Sequence, residues 1–305
     1  MVHEVLAHLI TDRDGVYVDG TVGSAGHSSA VGEVLSNKAC LICLDRDPDA
    51  VRLSRQRLRS LGGRVKVERG NYGETDRILR RLGFQKVHGL LLDLGLSSYQ
   101  LEQSGRGFSF NREEPLDMRM DQEQEGMMRA SDLINRFSTG DLEKILRQYG
   151  EEKRARVIVR AIERARRKGP IDSSLQLARV IQSALPPVPS RTERHPATKT
   201  FQALRISVNR ELDHLKLFLE KAPGLLETGG RLVVISYHSL EDRLVKRAML
   251  EWEKGCVCPP DLPKCACGRT PLFRRIRKKG IRPGQGEIQD NPRARSAVLR
   301  AAERI

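Results

Sequence analysis

Aromatic residues make up only 4% of the chain, with a single Trp. That scarcity argues against a broad stacking platform for single-stranded nucleic acid. No apolar run reaches bilayer-crossing length; the longest are short strand-like pieces such as Gly89-Leu-Leu-Leu-Asp93. The opening, Met1-Val-His-Glu-Val-Leu-Ala-His8, lacks the basic and then apolar segments of a secretory leader, so the expected compartment is the cytoplasm. There is no internal repeat and no low-complexity tract. Cysteine is sparse, six residues in 305, and unevenly placed. Cys40 and Cys43 stand in an apolar stretch and read as small core residues. The other four cluster near the C-terminus.

What is abundant is positive charge. Lys and Arg total 54 against 39 acidic residues, a formal charge of +15. Such an excess favours a polyanionic partner, since each neutralised phosphate releases counterions. Self-repulsion of a dispersed protein is the alternative source of the same excess. The hydrophobic fraction of 39% is that of a globular chain, long enough for one large domain or two smaller ones.

Hydrophobic pattern and punctuation give an α/β order. Strands are expected at Val16-Tyr-Val-Asp19, Cys40-Leu-Ile-Cys-Leu44, Val65-Lys-Val67 and Leu90-Leu-Leu92, each followed by a helix. Four βα units in succession predict a parallel, doubly wound sheet. From 105 to 200 helices and loops replace this rhythm, with helices over 138–150, 153–168 and from Asp172 to the Pro186-Pro187 stop. A helix over 208–226, a Gly229-Gly230 turn and a strand Leu232-Val-Val-Ile235 then resume it, and Ala297-Val-Leu-Arg300 reads as a last strand. The expected organisation is a core in two parts, 1–104 and 201–305, interrupted by a helical insert over 105–200.

Open α/β sheets bind ligands at the carboxyl ends of their strands. There the first strand runs into Gly20-Thr-Val-Gly-Ser-Ala-Gly26 and a helix N-terminus. The spacing is neither the dinucleotide G-x-G-x-x-G nor a P-loop. Asp45 ends the second strand, where a carboxylate can accept hydrogen bonds from ribose hydroxyls; capping the next helix is its alternative role, with Asp47 as competitor. Nicotinamide dinucleotide and S-adenosylmethionine both remain compatible. Tyr72, after the third strand, can pack against an adenine or simply line the core. Asp93 ends the fourth strand, facing the reaction centre or stabilising a loop.

Taken together, several segments resemble the bacterial 16S ribosomal RNA cytosine-N4 methyltransferases and their mitochondrial branch. They are Tyr17-Val-Asp-Gly-Thr21 with Gly26-His-Ser28, Leu44-Asp-Arg-Asp-Pro48, Leu91-Leu-Asp-Leu-Gly-Leu-Ser-Ser98, Gly105-Arg-Gly-Phe-Ser-Phe110 and Pro115-Leu-Asp-Met-Arg-Met-Asp121. Further on come Tyr149-Gly-Glu-Glu152, His195-Pro-Ala-Thr198, Thr200-Phe-Gln-Ala-Leu-Arg-Ile206, Ser239-Leu-Glu-Asp-Arg243 and Asn291-Pro-Arg-Ala-Arg-Ser296. The resemblance implies a class I methyltransferase fold, Rossmann-like and mostly parallel, with an inserted helical domain. It implies S-adenosylmethionine as cofactor, with Ala25, Gly26 and His27 at its methionine end, Asp45 on the ribose, Tyr72 beside the adenine, and Asp93 and Gln100 completing the pocket. It also implies 16S ribosomal RNA, within the small subunit, as partner, with a decoding-centre cytidine as target and no obligate protein partner or membrane.

Two departures stand out. The family usually has Gly-Gly-His where this chain has Ala25-Gly-His27, an Ala that costs stability if the position needs positive φ. Members also usually carry a longer opening segment with His-x-Pro-Val-Leu, whereas this chain begins at what reads as the next helix.

The exocyclic amine is a poor nucleophile because its lone pair is delocalised into the ring. Asp93, helped by a backbone carbonyl or by Ser97 or Ser98, is the candidate acceptor that localises it, without being a strong base. Tyr237-His-Ser239 lies at the same edge and can contact an unstacked base, with a structural role for His238 as the alternative. General amino-methyltransferases carry Pro-Pro-Tyr/Phe after the corresponding acid, and this chain has Leu-Gly-Leu. Phosphate contact is expected from the basic face of 153–168, opposite a stripe of Val157, Ile158, Ala161, Ile162 and Ala165. A second contact is expected from Arg274-Arg-Ile-Arg-Lys-Lys279 with Arg269 and Arg282, and the loop 191–199 is a third by resemblance.

Cys256-Val-Cys258 and Cys265-Ala-Cys267 bracket a Pro-rich hexapeptide, so four thiolates are near enough in the chain for a tetrahedral zinc site. C-x-C is less usual than C-x-x-C, and reduced surface thiols or redox-labile pairs are the alternatives. Two other functions use the same features: an NAD-linked dehydrogenase, and a ribosome-assembly protein that grips RNA without methyl transfer.

Overall fold

The computed structural model describes residues 1–186, 195–256, 258–259 and 267–305. Its sheet, in the order β3-β2-β1-β4-β5-β7-β6, consists of β1 Val16–Asp19, β2 Cys40–Asp45, β3 Val65–Arg69, β4 Val87–Asp93, β5 Leu226–Ser236, β6 Phe273–Arg275 and β7 Val298–Arg304. β1 to β5 are parallel, while β7 runs antiparallel to both β5 and β6. This is the doubly wound 3-2-1-4-5-6 order with one antiparallel strand slipped between β5 and β6. The α/β class expected from the sequence is the one observed.

Strand alternation explains the two cores. Val18, Ile42, Leu44, Leu90, Leu92 and Val234 point to one face, and Tyr17, Leu41, Cys43, Leu91, Val233 and Ile235 to the other. Both faces are covered, so the inner strands read as continuous apolar runs. Cys43 is fully buried, with its thiol against Ser28 Oγ at 3.3 Å, and Cys40 is half-buried.

The chain divides into two compact units, 1–95 with 212–305, and 96–211. The expected boundaries near 105 and 200 both fall inside the second unit. Its helices include Ala130–Arg136, Thr139–Gly150, Ala155–Arg166, Ser174–Ala184 and Thr198–Asn209. Thr198–Asn209 packs on Thr139–Gly150 and so belongs to this core. Ser138 and Ser173 cap two of these helices by accepting from the N–H groups of Asp141 and Gln176. A Cβ on Gly150 would lie 2.6 Å from the Lys199 carbonyl oxygen, so that glycine serves close approach; the left-handed cap is Glu151, φ 46°.

Three expectations need correction. The helix expected over 208–226 is two helices, Thr198–Asn209 and Glu211–Leu225, parted by Arg210 at φ 51°. The cause is the buried Asn209, whose amide accepts from Met120 N–H and donates to the Met118 carbonyl. Gly229-Gly230 is not a turn before β5 but lies inside it, where the pairing with β4 shifts register between Val87 and Gly89. Val157, placed in the apolar stripe, is 47% exposed, and Val159 is buried instead.

Candidate active site

The register of the parallel strands builds the site. Asp19 lies opposite Cys43 of β2 and Leu91 of β4. Asp45 and Asp93 therefore project beyond Asp19 on either side of β1, at the carboxyl edge. The segment after β1 crosses this gap, with Gly20 N–H donating to the Leu91 carbonyl and Val22 N–H to that of Leu44. Thr21 N–H goes to Asp19 Oδ1, Gly23 N–H to Asp45 Oδ2 at 2.9 Å, and Ala25 N–H to the Val22 carbonyl. Most of the loop's donors are thus used internally, and residues 20–27 carry no Lys or Arg. A diphosphate would meet carboxylates there, where it needs free N–H groups.

Ala25 precedes the helix Gly26–Val34 at φ 63°, the conformation that makes an Ala costly. Around Gly26 a Cβ would meet nothing within 4 Å, so the space above the helix N-terminus is open. His27 Nδ1 is 3.3 Å from Asp93 Oδ2. Burial pulls the His27 imidazole down, but the hydrogen bond and charge of Asp93, with Asp19 behind, outweigh it and hold it above its ordinary value. His27 Nε2 is buried with no hydrogen-bond partner among the described residues.

Asp93 is gripped from several sides. Its N–H donates to Thr21 Oγ1 at 2.6 Å, and Tyr237 Oη donates to its Oδ1 at 2.9 Å. Burial, then the Asp93 charge, pushes the Tyr237 phenol well up, so it stays a donor at any working pH. Asp45 accepts from Gly23 and Asp47 N–H groups, and its desolvation pushes the carboxyl up to about 6 despite these bonds. Asp47, the competing cap, takes the Asp49 N–H at the start of the next helix, leaving Asp45 to the loop. Tyr72 starts the turn after β3 and meets Phe218 edge-on at 6.0 Å, so one side of its ring is core. Gln100 lies in the other compact unit, its Oε1 accepting from Ser97 N–H.

The network also contains residues to which sequence reading gave either no role or a different one. Asp19 is buried, raised by desolvation, and accepts from Ser28 Oγ at 2.6 Å. Thr21 had no signal beyond its place in the loop. Tyr237 stood in the motif after β5, but nothing local tied it to Asp93. His238 caps the helix Ser239–Glu253 through its side chain.

Several of the expected phosphate-contacting residues are engaged in ion pairs instead. On Ala155–Arg166, Arg156, Arg160 and Arg164 are exposed. Arg166 instead donates to the Ile134 and Phe137 carbonyls and pairs with Glu163, as does Arg167. Arg274 and Arg275 form part of β6 and pair with Glu303 and Glu253, and Arg269 pairs with Glu251. Arg277, Lys278, Lys279 and Arg282 line an open recess. In the loop 191–199, His195 stacks on Phe110 at 4.4 Å and Lys199 binds the Glu151 carbonyl, while 191–194 lie outside the described residues.

Against this geometry stand the comparisons with known proteins. The family model described as the MraW methylase family matches residues 1–305. The chain belongs to the MraW methylase family. Among its curated relatives, the ribosomal RNA small subunit methyltransferase H of Geobacter sulfurreducens is 48% identical, over 99% of this chain and 96% of that protein. The protein of that name from Caldicellulosiruptor bescii is 45% identical, over 100% and 98%. A candidate rRNA-methylase from Clostridium thermocellum, solved as a crystal structure, superposes with a TM-score of 0.46 at 12% identity, covering 100% of this chain and 95% of that one. The sheet order β3-β2-β1-β4-β5-β7-β6 and membership of a methylase family agree with the class I methyltransferase fold expected from the sequence, and that membership overturns the dehydrogenase alternative. Among the described residues, no helix is long and apolar enough to cross a membrane.

Proposed function

We propose that this methyltransferase uses S-adenosylmethionine to methylate N4 of a decoding-centre cytidine in 16S ribosomal RNA, in the cytoplasm and on the small ribosomal subunit. The observation that carries the reading is identity of 48% along 99% of the chain to a small-subunit ribosomal RNA methyltransferase. The carboxyl edge fits that cofactor in charge and space. It is acidic where a sulfonium needs an anion, open above Gly26, and holds an unpartnered His27 Nε2.

In this reading Asp45 accepts from the ribose hydroxyls. The helix N-terminus at Ala25 and Gly26, with His27 when its ring is protonated, holds the methionine carboxylate. Tyr72 offers the adenine the side of its ring turned away from Phe218, and Gln100 is assigned by resemblance alone. When bound, the cofactor supplies an electrophilic methyl. The protein's part is to hold the acceptor amine: Asp93 takes an N–H hydrogen bond from it, which localises the nitrogen lone pair. Tyr237 and His27 fix the two carboxylate oxygens, so the acceptor is oriented before the base arrives. The surplus proton leaves the amine after transfer, through Asp93 or to water, so Asp93 need not be strongly basic. The exposed arginines of Ala155–Arg166 contact phosphates and position the RNA.

The test is methyl transfer from labelled S-adenosylmethionine to small subunits from a strain lacking this protein, followed by nucleoside analysis. N4-methylcytidine is expected, and Asp93→Ala should lower the rate at least about a hundredfold. Cofactor binding without transfer to subunits, precursors or naked RNA would refute the enzyme and leave an assembly protein.

A further inference from the structure

Far along the chain from Asp93, the segment between the helix Ser239–Glu253 and β6 carries Cys256, Cys258 and Cys267. Its two ends are tied together. Leu272 N–H donates to the Trp252 carbonyl at 2.8 Å, and Arg269 both donates to the Glu251 carbonyl and pairs with its carboxylate at 2.9 Å. Between these ties, none of the described residues joins either apolar core of this unit. Hydrophobic packing therefore does not hold the described residues of this excursion.

The thiols nonetheless converge. Cys267 Sγ is 3.8 Å from Cys256 Sγ, and Cys258 N–H donates to Cys256 Sγ at 3.4 Å. All three sulfurs lie within 4.8 Å of one another. These separations are well beyond a disulfide bond of about 2.05 Å. A zinc–thiolate bond of about 2.3 Å gives a tetrahedron whose sulfur–sulfur edge is about 3.8 Å. The Cys256–Cys267 separation already has that length. The remaining ones need close by no more than about 1 Å to reach it. Gly268 follows at φ 60° with open space where its Cβ would be, so it is the turn, not crowding, that calls for glycine beside the last thiol. Soft thiolates select zinc over magnesium or calcium.

We infer that Cys256, Cys258 and Cys267 form a zinc site that fixes this loop. Its role is structural, tying together described residues that join neither apolar core. Cys265 lies outside the described residues, and the site stands on the other three thiols.

The full chain, prepared under reductant, is expected to hold about one zinc by elemental analysis. Exchange for cobalt should give a sulfur-to-cobalt charge-transfer band in the near ultraviolet and tetrahedral ligand-field bands in the red. Cys256→Ser, Cys258→Ser and Cys267→Ser should each weaken zinc binding at least about a hundredfold, with circular dichroism showing the fold retained. A folded, reduced protein that takes up no zinc and shows no thiolate–cobalt band would overturn the inference. So would wild-type zinc affinity in both Cys256→Ser and Cys267→Ser. If a serine variant does not fold, alkylation of the wild type decides. Labelling of these thiols slowed by zinc supports the site, and an unchanged rate refutes it.

Discussion

Asp45 makes the proposed cofactor pocket pH-sensitive in a window where few carboxylates titrate. Its carboxyl is pushed from 3.8 up to about 6, because desolvation outweighs the two N–H groups it accepts from. A raised value means that the folded protein binds this proton more tightly than the unfolded chain. The stability contributed by the group is therefore fully present below pH 3.8 and lost as pH rises through about 6. The magnitude is on the order of 3 kcal/mol, from roughly two pH units at 1.36 kcal/mol each. Cofactor binding opposes that protonation, since ribose hydroxyls bind the carboxylate through charge-assisted hydrogen bonds. If only the ionised form binds, affinity should fall about tenfold between pH 7 and pH 5, or ~1.4 kcal/mol. Isothermal titration with S-adenosylmethionine measures this directly. Asp45→Asn should bind about ten- to a hundredfold more weakly at pH 7, and its affinity should be nearly flat over the same range. A flat wild-type profile would refute the argument. So would an Asp45→Asn profile that keeps the full tenfold fall, since a group other than Asp45 would then be titrating.

Three other outcomes are expected. Tyr237→Phe removes the hydrogen bond to Asp93 Oδ1; kcat should drop about ten- to a hundredfold with little change in KM, and an unchanged kcat would remove Tyr237 from the positioning network. Asn209→Ala strands the buried Met120 N–H and Met118 carbonyl; chemical denaturation should show a loss of about 3 kcal/mol, and an unshifted midpoint would refute it. Reversing Arg160 and Arg164 together to Glu should weaken RNA binding and lower the slope of log K against log salt by about 1 to 2, leaving thermal stability near wild type. An unaltered slope would show that this helix face does not meet phosphate.

Much of the sheet was legible because its strands are buried on both faces. Short continuous runs such as Leu90-Leu-Leu92, set between turn residues, fit strands covered on both faces, and the acids at their ends mark the edge. β6 was not legible: Phe273-Arg-Arg275 reads as a basic surface, and its arginines find their partners only in the distant Glu303 and Glu253. The break at Arg210 was hidden for a similar reason, since Asn209 ends the helix through partners about ninety residues earlier in the chain. Within the site, Asp45, Asp93 and the glycine loop could be picked out by position, because strand ends and turns have local signatures. Their connection to Tyr237 and Thr21 depends on β4 and β5 being neighbours and on the loop crossing β1. No spacing along the chain encodes those neighbours.

The second unit leaves the chain of the first just after β4 and returns at the helix that feeds β5. β4 and β5 are adjacent and parallel, so removing 96–211 would leave one βαβ crossover with its strand order intact. The excursion is an elaboration of a single connection. In evolutionary terms such a segment can be enlarged, exchanged or rebuilt for a new nucleic acid without redesigning the sheet. Asp93, the proposed acceptor, stands two residues before the departure point, so the proposed chemistry and the proposed RNA-contacting element belong to separable stretches of the chain.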